Sequence, residues 1–259
     1  MELSIRSPVC HKDEILPLLS AELTCRCHTW LNPASFAPLR VGDTLEIAGI
    51  PYFKIIACSW LIDSCSQPGC RSLFAPMLLA LRDIRAGEEA YLRSSAGWSL
   101  AVITLSDKGS CGLREDRSGP EIAKLAAEYL YLSWIRYYLI PDDKYIFKSL
   151  LARLACEDKY HLILTTGGTG LGSRDIAPEI TSSLLDKTLP GFSQAMLMAS
   201  LAVTPRAVIS RAVAGIIDRS LIVNLPGSVK AVSENLKSIL PAFNHALEKL
   251  NGNNSDCGA

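Results

Sequence analysis

The feature of this sequence that most constrains its fold is a short apolar segment that runs directly into a glycine-rich turn. Residues 162–164 read Leu-Ile-Leu, which predicts a buried strand, and the residues that follow read TTGGTG. Glycines permit positive φ angles and leave the backbone amides open to a ligand, and the interleaved threonines add hydroxyl groups. A plain tight turn would also fit the glycines. Arg174, Asp175 and a helix start at Pro178 follow at once, which favours a ligand-facing loop.

The chemistry of this loop suits a phosphate or a polar ring. The carboxylate of Asp175 beside it is suited to hold a metal ion that neutralises phosphate charge. The loop lacks the lysine of a Walker A motif and the glycine spacing of dinucleotide-binding folds. The sequence therefore predicts neither of those two nucleotide sites.

Strand and helix patterns alternate through the second half of the chain. Strands are predicted at 101–105, 137–140, 161–164 and 220–224, and helices at 121–134, 146–154, 180–185, 194–201 and from 229. This alternation predicts an α/β fold, a parallel sheet with helices on both faces. Ligands bind beyond the carboxyl ends of such strands, which groups Ser106, Asp107 and Asp142 with the glycine loop.

Two segments flank helix starts in this half. Asp116 and Pro120 supply a cap and a first-turn proline for the helix predicted at 121–134, whose aromatic residues Tyr129, Tyr131 and Trp134 are expected to pack. The turn from Pro226 to Ser228 precedes the last helix. A free helix N-terminus with a nearby serine can hold an anion there, and an ordinary capped helix fits the same residues.

The bulk composition bears on partners and location. The chain has 259 residues, room for two modest domains, and its 26 lysines and arginines balance 26 aspartates and glutamates. This balance favours a small ligand over nucleic acid or an acidic membrane surface. No apolar run reaches the roughly 18 residues that span a bilayer, and the first residues mix both charges. We therefore expect a cytoplasmic protein without membrane contact.

The cysteines are distributed unevenly, which predicts a domain boundary near residue 95. Their odd number, nine, favours reduced thiols over a disulfide framework. Six precede residue 100, namely Cys10, Cys25, Cys27, Cys58, Cys65 and Cys70, and three follow it, namely Cys111, Cys156 and Cys257. Residues 1–95 read as short strands and turns of a small β-barrel, with a hairpin formed by 45–47 and 52–56.

The chemistry of the N-terminal cysteines has two interpretations. Thiolates and imidazole are preferred zinc ligands, so Cys25, Cys27 and His28 together with the later cysteines could bind zinc. These residues lack the C-x-x-C pairs of a zinc module, and buried or incidental thiols are the alternative.

The glycine-loop stretch TTGGTGLGSRDIAPEIT resembles the central motif of the molybdopterin adenylyltransferase family, of the MogA and gephyrin G-domain type. SDKGSCGLREDRSGPEI, IPDD, LPGF, ISRAVAG and LIVNLPGS extend the resemblance, in order, over residues 98–250. The resemblance implies an α/β fold, a homotrimer, and use of Mg2+ and ATP to attach AMP to molybdopterin with release of pyrophosphate. Other molybdenum-cofactor enzymes are the partners it implies.

The resemblance also assigns roles to residues. Asp142 and Asp175 match the two essential acidic positions, with Asp175 placing the magnesium ion. The substrate-binding residues that we expect are Ser106, Asp107, Thr166, Gly167, Gly168, Thr169, Gly170, Ser210, Pro226, Gly227 and Ser228.

One departure from the family pattern raises a second hypothesis. The family commonly has a glutamate followed shortly by an arginine after the LPGF motif, where this sequence has Gln194 and Leu197. Loss of both charges would suit a molybdopterin-binding scaffold with weak catalysis, as in some MoaB-like members. The sequence leaves open whether molybdenum or tungsten is the eventual metal.

The N-terminal half carries a separate resemblance. PLRVGDTLEIAGIPYFKIIACSW and LFAPMLLALRDIRAGEEAYL resemble the later half of a MOSC domain, the β-barrel of molybdenum-cofactor sulfurases. This resemblance implies a shortened barrel and a third hypothesis, sulfur carriage on the same pathway by Cys58, Cys65 or Cys70. The polar tail 251–259 is predicted to be disordered.

Overall fold

The computed structural model describes residues 2–20, 30–31, 39–62 and 72–252. The chain divides into two compact units, Met1–Ala96 and Gly97–Ala259. None of the helices within the described ranges combines the length and the apolar character that a membrane crossing requires.

The first unit is an eight-stranded sheet. Its strands are β1 (Glu2–Ser7), β2 (Ile15–Pro17), β3 (Leu19–Ser20), β4 (Trp30–Leu31), β5 (Thr44–Ile47), β6 (Ile50–Ile62), β7 (Ser72–Ala80) and β8 (Gly87–Ser94). They lie in the order β2-β7-β6-β5-β8-β1-β4-β3, and among the described pairs only β3 and β4 run parallel. β5 and β6 form the predicted hairpin, because Ala48 and Gly49 take positive φ in a two-residue turn. The sheet is compatible with half of a barrel, and its MOSC-like origin stays a prediction.

A buried carboxylate stabilises one end of this sheet. Asp43 accepts hydrogen bonds from the amide of Arg40 at 2.8 Å and the hydroxyl of Ser95 at 2.5 Å. Nε of Arg93 lies 2.8 Å from Oδ2 of Asp43. Because a buried charge is tolerated only when it is paired and hydrogen-bonded, this network allows Asp43 to lie among apolar strands.

The second unit is a three-layer α/β structure. Its strands are β9 (Trp98–Leu105), β10 (Leu132–Ile140), β11 (Leu162–Thr166), β12 (Lys187–Thr188), β13 (Ala214–Ile217) and β14 (Ser220–Leu225). Its helices are α1 (Asp107–Ser110), α2 (Ser118–Tyr129), α3 (Lys144–Ala152), α4 (Ala177–Leu184), α5 (Pro190–Leu201) and α6 (Val229–Leu250). A π-helical turn (Arg153–Glu157) follows α3, and a 3-10 turn (Pro205–Ile209) follows α5.

The sheet of this unit is mixed, which corrects the prediction of a purely parallel one. The order is β10-β9-β11-β14-β13-β12, and β10, β9, β11 and β14 are parallel as predicted. β13 and β12 run antiparallel at one edge. β13 and β14 are joined by two residues, with Asp218 at positive φ, and so short a connection can link only antiparallel strands.

Both faces of the central strands are buried. Alternate residues of β9 such as Leu100 and Val102 join one core cluster with residues of α2, α5 and α6. The intervening residues, including Ala101 and Ile103, are also fully buried, as is Phe147 of α3. This double burial explains why these strands read as unbroken apolar runs.

One helix prediction is wrong at its end. α2 stops at Tyr129, and Trp134 belongs to β10, because Leu130 leaves the helix with extended backbone angles. Tyr129 and Tyr131 are 50% and 74% exposed and therefore do not pack as expected. The aromatic and β-branched residues after position 131 suit a strand, and pairing with β9 decides the conformation.

Candidate active site

The glycine loop begins where β11 ends. Gly167 and Gly168 have φ angles of +93° and +62°, which non-glycine residues rarely adopt. A Cβ atom on Gly167 would lie 2.3 Å from the carbonyl oxygen of Leu105 at the end of β9. The hydroxyl of Thr166 donates to the carbonyl of Pro226, after β14, at 2.6 Å. The carboxyl ends of three neighbouring strands therefore meet at this loop.

A cleft of about 580 Å³ opens beside the loop. Residues from the ends of β9 and β11, from the loop before α2 and from the start of α6 line it. They are Thr104, Leu105, Ser106, Gly109, Arg114, Glu115, Asp116, Arg117, Ser118, Thr166, Gly167, Gly227, Ser228 and Val229. The volume is in the range of small-molecule sites.

The N-terminus of α6 contributes one wall of this cleft. Ser228 caps the helix by accepting a hydrogen bond from the amide of Ala231 at 3.3 Å. The carbonyl of Gly227 accepts a hydrogen bond from the hydroxyl of Ser118 at 2.9 Å, which fixes the turn before the helix. The positive end of a 22-residue helix therefore borders the cleft, which favours an anionic ligand.

Two reciprocal hydrogen bonds join Asp107 and Asp142 next to the glycine loop. The amide of Asp107 donates to Oδ2 of Asp142 at 3.1 Å, and the amide of Asp142 donates to Oδ1 of Asp107 at 3.0 Å. Nη2 of Arg174 lies 2.6 Å from Oδ2 of Asp107. This arrangement holds the carboxylate of Asp142 towards Gly168, where a Cβ atom would lie 3.6 Å from Oδ1.

The electrostatics of this acidic region favour a cation. Burial raises the pKa of Asp142 above its ordinary value, and the charges of Asp107 and Asp175 act in the same direction. The amide of Asp107 and the charge of Arg174 oppose the rise only in part. A positive ion would relieve this repulsion between carboxylates.

The loop wraps closely around Asp175. Oδ2 of Asp175 accepts a hydrogen bond from the amide of Gly172 at 2.7 Å. A Cβ atom on Gly170 would lie 2.8 Å from the same oxygen, so a side chain there would displace the carboxylate. The glycines at 170 and 172 therefore make room for Asp175.

The donors present fit a magnesium ion that arrives with a phosphate ligand. Among the described residues, no group of three or more His, Cys, Asp and Glu side chains is arranged to hold a metal ion. Magnesium commonly binds one or two carboxylates and completes its shell with phosphate oxygens and water. Asp142 and Asp175, each engaged at one oxygen by a backbone amide, suit that mode.

Asp116 and Tyr137 form a hydrogen-bonded pair beside the cleft, and the sequence analysis predicted no functional role for either residue. Oδ1 of Asp116 accepts hydrogen bonds from the amides of Ser118 at 2.9 Å and Gly119 at 3.3 Å, so its carboxylate satisfies the first amides of α2, although the N-cap position itself is Arg117. The hydroxyl of Tyr137 on β10 donates to Oδ2. No pattern in the sequence pairs these two distant positions.

Protonation of this pair follows from its contacts. Partial burial raises the pKa of Asp116, but hydrogen bonds from Tyr137, Thr104 and the two amides outweigh it and leave the pKa below its ordinary value. Burial and the neighbouring Asp116 raise the pKa of Tyr137 to about 12. The pair therefore stays a phenol donating to a carboxylate at neutral pH.

The structure sorts the predicted catalytic and substrate-binding residues into three groups. Ser106, Thr166, Gly167, Gly227 and Ser228 line the cleft. Gly168, Gly170, Asp107, Asp142 and Asp175 form the acidic region. Thr169 is buried in the loop, Pro226 accepts the bond from Thr166, and Ser210 is exposed and not among the cleft residues.

The sequence analysis assigned no role to three arginines near the cleft and the glycine loop, and two residues that it did single out lie outside the cleft lining. Arg114 and Arg117 line the cleft, and Arg211 contacts the glycine loop, although the sequence analysis assigned none of them. The arginine in ISRAVAG, next to the predicted Ser210, was a signal that could have found Arg211. Gln194 is exposed on α5, and neither it nor Leu197 is among the cleft residues.

Cys58 is the one candidate sulfur carrier that lies within the described residues. Cys58 lies on β6 and is 2% exposed, so its thiol is shielded from other molecules. Cys65 and Cys70, the other two candidate sulfur carriers, lie outside the described residues, as do Cys25, Cys27 and His28.

Fold and site together define an α/β ligand-binding domain with a glycine loop at the carboxyl ends of its parallel strands. The family model described as "Probable molybdopterin binding domain" matches residues 101–245. The chain belongs to this family.

Named relatives and a solved structure agree with this assignment. A molybdopterin adenylyltransferase of Helicobacter pylori (strain ATCC 700392 / 26695) is 39% identical over 155 residues, which cover 60% of this chain and 88% of the relative. Gephyrin of Dictyostelium discoideum is 42% identical over 163 residues, or 60% of this chain, but the match spans only 23% of gephyrin. The crystal structure of the molybdopterin biosynthesis enzyme MoaB from Thermus thermophilus superposes with a TM-score of 0.56 and 40% identity, covering 60% of this chain and 97% of that structure.

Proposed function

We propose that this protein acts in molybdenum cofactor biosynthesis and transfers AMP from ATP to molybdopterin, with Mg2+ as cofactor and pyrophosphate as product. The observation that carries the proposal is the pairing of a ligand-sized cleft with a separate acidic region across one glycine loop. The relatives named molybdopterin adenylyltransferase support this reaction.

The two parts of the site suit two substrates. The cleft, with the N-terminus of α6 and Arg114, suits the phosphate-bearing pterin, whereas Arg117 is paired with Glu115. The acidic region with Asp142 and Asp175 suits the nucleotide phosphates when they arrive with Mg2+, because carboxylates alone would repel them. Gly167 and Gly168 connect the two, so the acceptor phosphate and the α-phosphate of ATP would meet at the loop.

The proposed reaction forms a bond between a pterin phosphate oxygen and the α-phosphorus of ATP and breaks the bond to pyrophosphate. The chain positions both substrates and supplies no covalent nucleophile. A bound Mg2+ ion would neutralise the negative charge of the substrate phosphates. Asp142 and Asp175 hold their carboxylates fixed by backbone amides, so little reorganisation is required during the reaction.

The first test is pyrophosphate release from Mg2+-ATP and purified molybdopterin. We expect turnover by the intact protein and a loss of at least about 30-fold in Asp175→Asn, which corresponds to about 2 kcal/mol of transition-state stabilisation. The matched control is Asp218→Asn, the same change at the turn between β13 and β14. Equal rates in the intact protein and Asp175→Asn would exclude the assigned role.

The binding-scaffold hypothesis gives a different result in the same assay. Gln194 and Leu197 favour it, because the family commonly carries two charges there. A scaffold would bind molybdopterin with no pyrophosphate release by either the intact protein or Asp175→Asn.

A further inference from the structure

We propose that Arg211 is a positioning residue that fixes the glycine loop and thereby the place of Asp175. This inference rests on the proposed function for the role of Asp175. Arg211 lies after the 3-10 turn, 36 residues from Asp175 in sequence, and had no assigned role.

One guanidinium group reaches three points of the loop and its following helix. Nε of Arg211 donates to the carbonyl of Gly170 at 2.8 Å, and Nη2 donates to the carbonyl of Asp175 at 2.8 Å. Nη1 donates to the carboxylate of Glu179 on α4. The planar fork of an arginine can make these three bonds at once, whereas a lysine ammonium cannot match that geometry.

The two backbone contacts of Arg211 bracket the segment that carries the carboxylate of Asp175. Gly170 and Asp175 are the two ends of the short segment in which Gly172 donates to Oδ2 of Asp175. Arg211 therefore links the two ends of this segment through its hydrogen bonds to the carbonyls of Gly170 and Asp175, and we call these contacts the Arg211 brace. Without the brace, the backbone carbonyls at both ends lose a charged donor, and the segment is held only by its own bonds.

The side chain of Arg211 is placed to brace the loop and not to bind substrate. It is 30% exposed and is not among the cleft residues. The ion pair with Glu179 is itself exposed, so its Coulomb energy is small, and the two backbone contacts matter more.

The test compares Arg211→Ala with Arg206→Ala, an exposed arginine on the neighbouring 3-10 turn. Hydrogen exchange of the amides of Gly172, Asp175 and Ala177, which are hydrogen-bonded within the loop, reports its order directly. We expect these amides to exchange at least about tenfold faster in Arg211→Ala and unchanged in Arg206→Ala.

The magnesium dependence of pyrophosphate release gives the second readout. We expect the Mg2+ concentration for half-maximal rate to rise at least about fivefold in Arg211→Ala, because a displaced Asp175 binds the ion less well. Arg211→Lys should give intermediate values. Glu179→Gln keeps the two backbone contacts of Arg211 and should resemble the unmodified protein in both readouts.

The outcomes separate this inference from the proposed function. Unchanged loop exchange in Arg211→Ala would overturn the positioning role, as would an effect of Glu179→Gln as large as that of Arg211→Ala. If Arg211→Ala fails to fold, Arg211→Lys supplies the same comparison. If the unmodified protein releases no pyrophosphate, the proposed function fails, while the exchange data still decide whether Arg211 holds the loop.

Discussion

At the scale of single residues, two aspartates of the second unit experience opposite environments. Burial and two like charges raise the pKa of Asp142. Asp116, despite its own burial, has a lowered pKa because a phenol and two amides donate to it. The first carboxylate is held in a position that is unfavourable for the free protein, whereas the second stabilises the fold.

Asp142→Asn should separate activity from stability. A raised carboxyl pKa means that Asp142 lowers the free energy of unfolding progressively as the pH rises above its unfolded-state pKa, and the loss is complete above its folded-state pKa. At pH 7 we therefore expect a melting temperature equal to or above that of the unmodified protein, with pyrophosphate release reduced at least about 30-fold. The difference in melting temperature should disappear as the pH falls through the pKa of Asp142. A clear loss of stability at pH 7 would contradict this interpretation.

Asp116→Asn should have the opposite effect on stability. A lowered carboxyl pKa contributes stability above the unfolded-state pKa, and this contribution is lost as the pH falls through the folded-state value. We expect the variant to lose about 1 kcal/mol of unfolding free energy at pH 7, the scale of a weakened hydrogen-bond set. Denaturant unfolding at pH 7 and at acidic pH measures the change, which should shrink on acidification.

At the scale of elements, the glycine loop depends on space as well as on backbone conformation. Gly167 and Gly112 both have positive φ, at +93° and +73°. They differ in surroundings, because a Cβ atom on Gly167 would meet the backbone of Leu105 at 2.3 Å, whereas no described atom lies within 4 Å of one on Gly112.

This difference makes the two glycines a matched pair for substitution. Gly112→Ala should lower the unfolding free energy by about 1 kcal/mol, the strain of a positive φ alone. Gly167→Ala adds a clash with a strand backbone and should cost at least about 3 kcal/mol and abolish pyrophosphate release. Denaturant unfolding measures both, and equal losses in the two variants would show that the approach to Leu105 is unimportant.

The edge strand β10 shows where local patterns fail. Residues 121–129 have a helical period that continues through the aromatic residues to Trp134, so the sequence predicted one long helix. The chain instead leaves the helix at Leu130 and pairs with β9 from Leu132. Backbone pairing with a strand about 30 residues earlier is a tertiary interaction that a local window does not contain.

At the scale of the whole molecule, the candidate site lies within one of the two units. Every residue of the cleft, the acidic region and the Arg211 brace lies between Gly97 and Ala259. The buried core of that unit is formed by its own strands and helices. The homotrimer implied by the family resemblance stays a prediction.

A chain of residues 97–259 alone should therefore fold and keep the proposed activity. We expect a cooperative thermal transition and a rate of pyrophosphate release within about twofold of the full protein, because the described site takes no residue from the first unit. Circular dichroism and the pyrophosphate assay test the two parts. A folded but inactive fragment would show that residues 1–96 contribute to the reaction.

The sequence by itself determined the α/β class of the second unit and the position of its ligand loop. Apolar runs such as 162–164 are buried on both faces and end in a glycine turn, so both signals are local and strong. The contact of Asp116 with the first amides of α2 and the helix start at Val229 are likewise local. Parallel strands place their carboxyl ends at one edge of the sheet, which is why the sequence alone predicts that Ser106, Asp142 and Gly167 lie close together.

The tertiary structure alone decided the rest. The antiparallel edge of β12 and β13, the bond from Tyr137 to Asp116 and the brace from Arg211 join residues far apart in the chain. Hydrogen bonds of this kind depend on distances of about 3 Å, and a residue pattern specifies periodicity and not distance. Local periodicity fixes which face is buried, whereas the contacts that shape the site exist only after the sheet has brought its strand ends together.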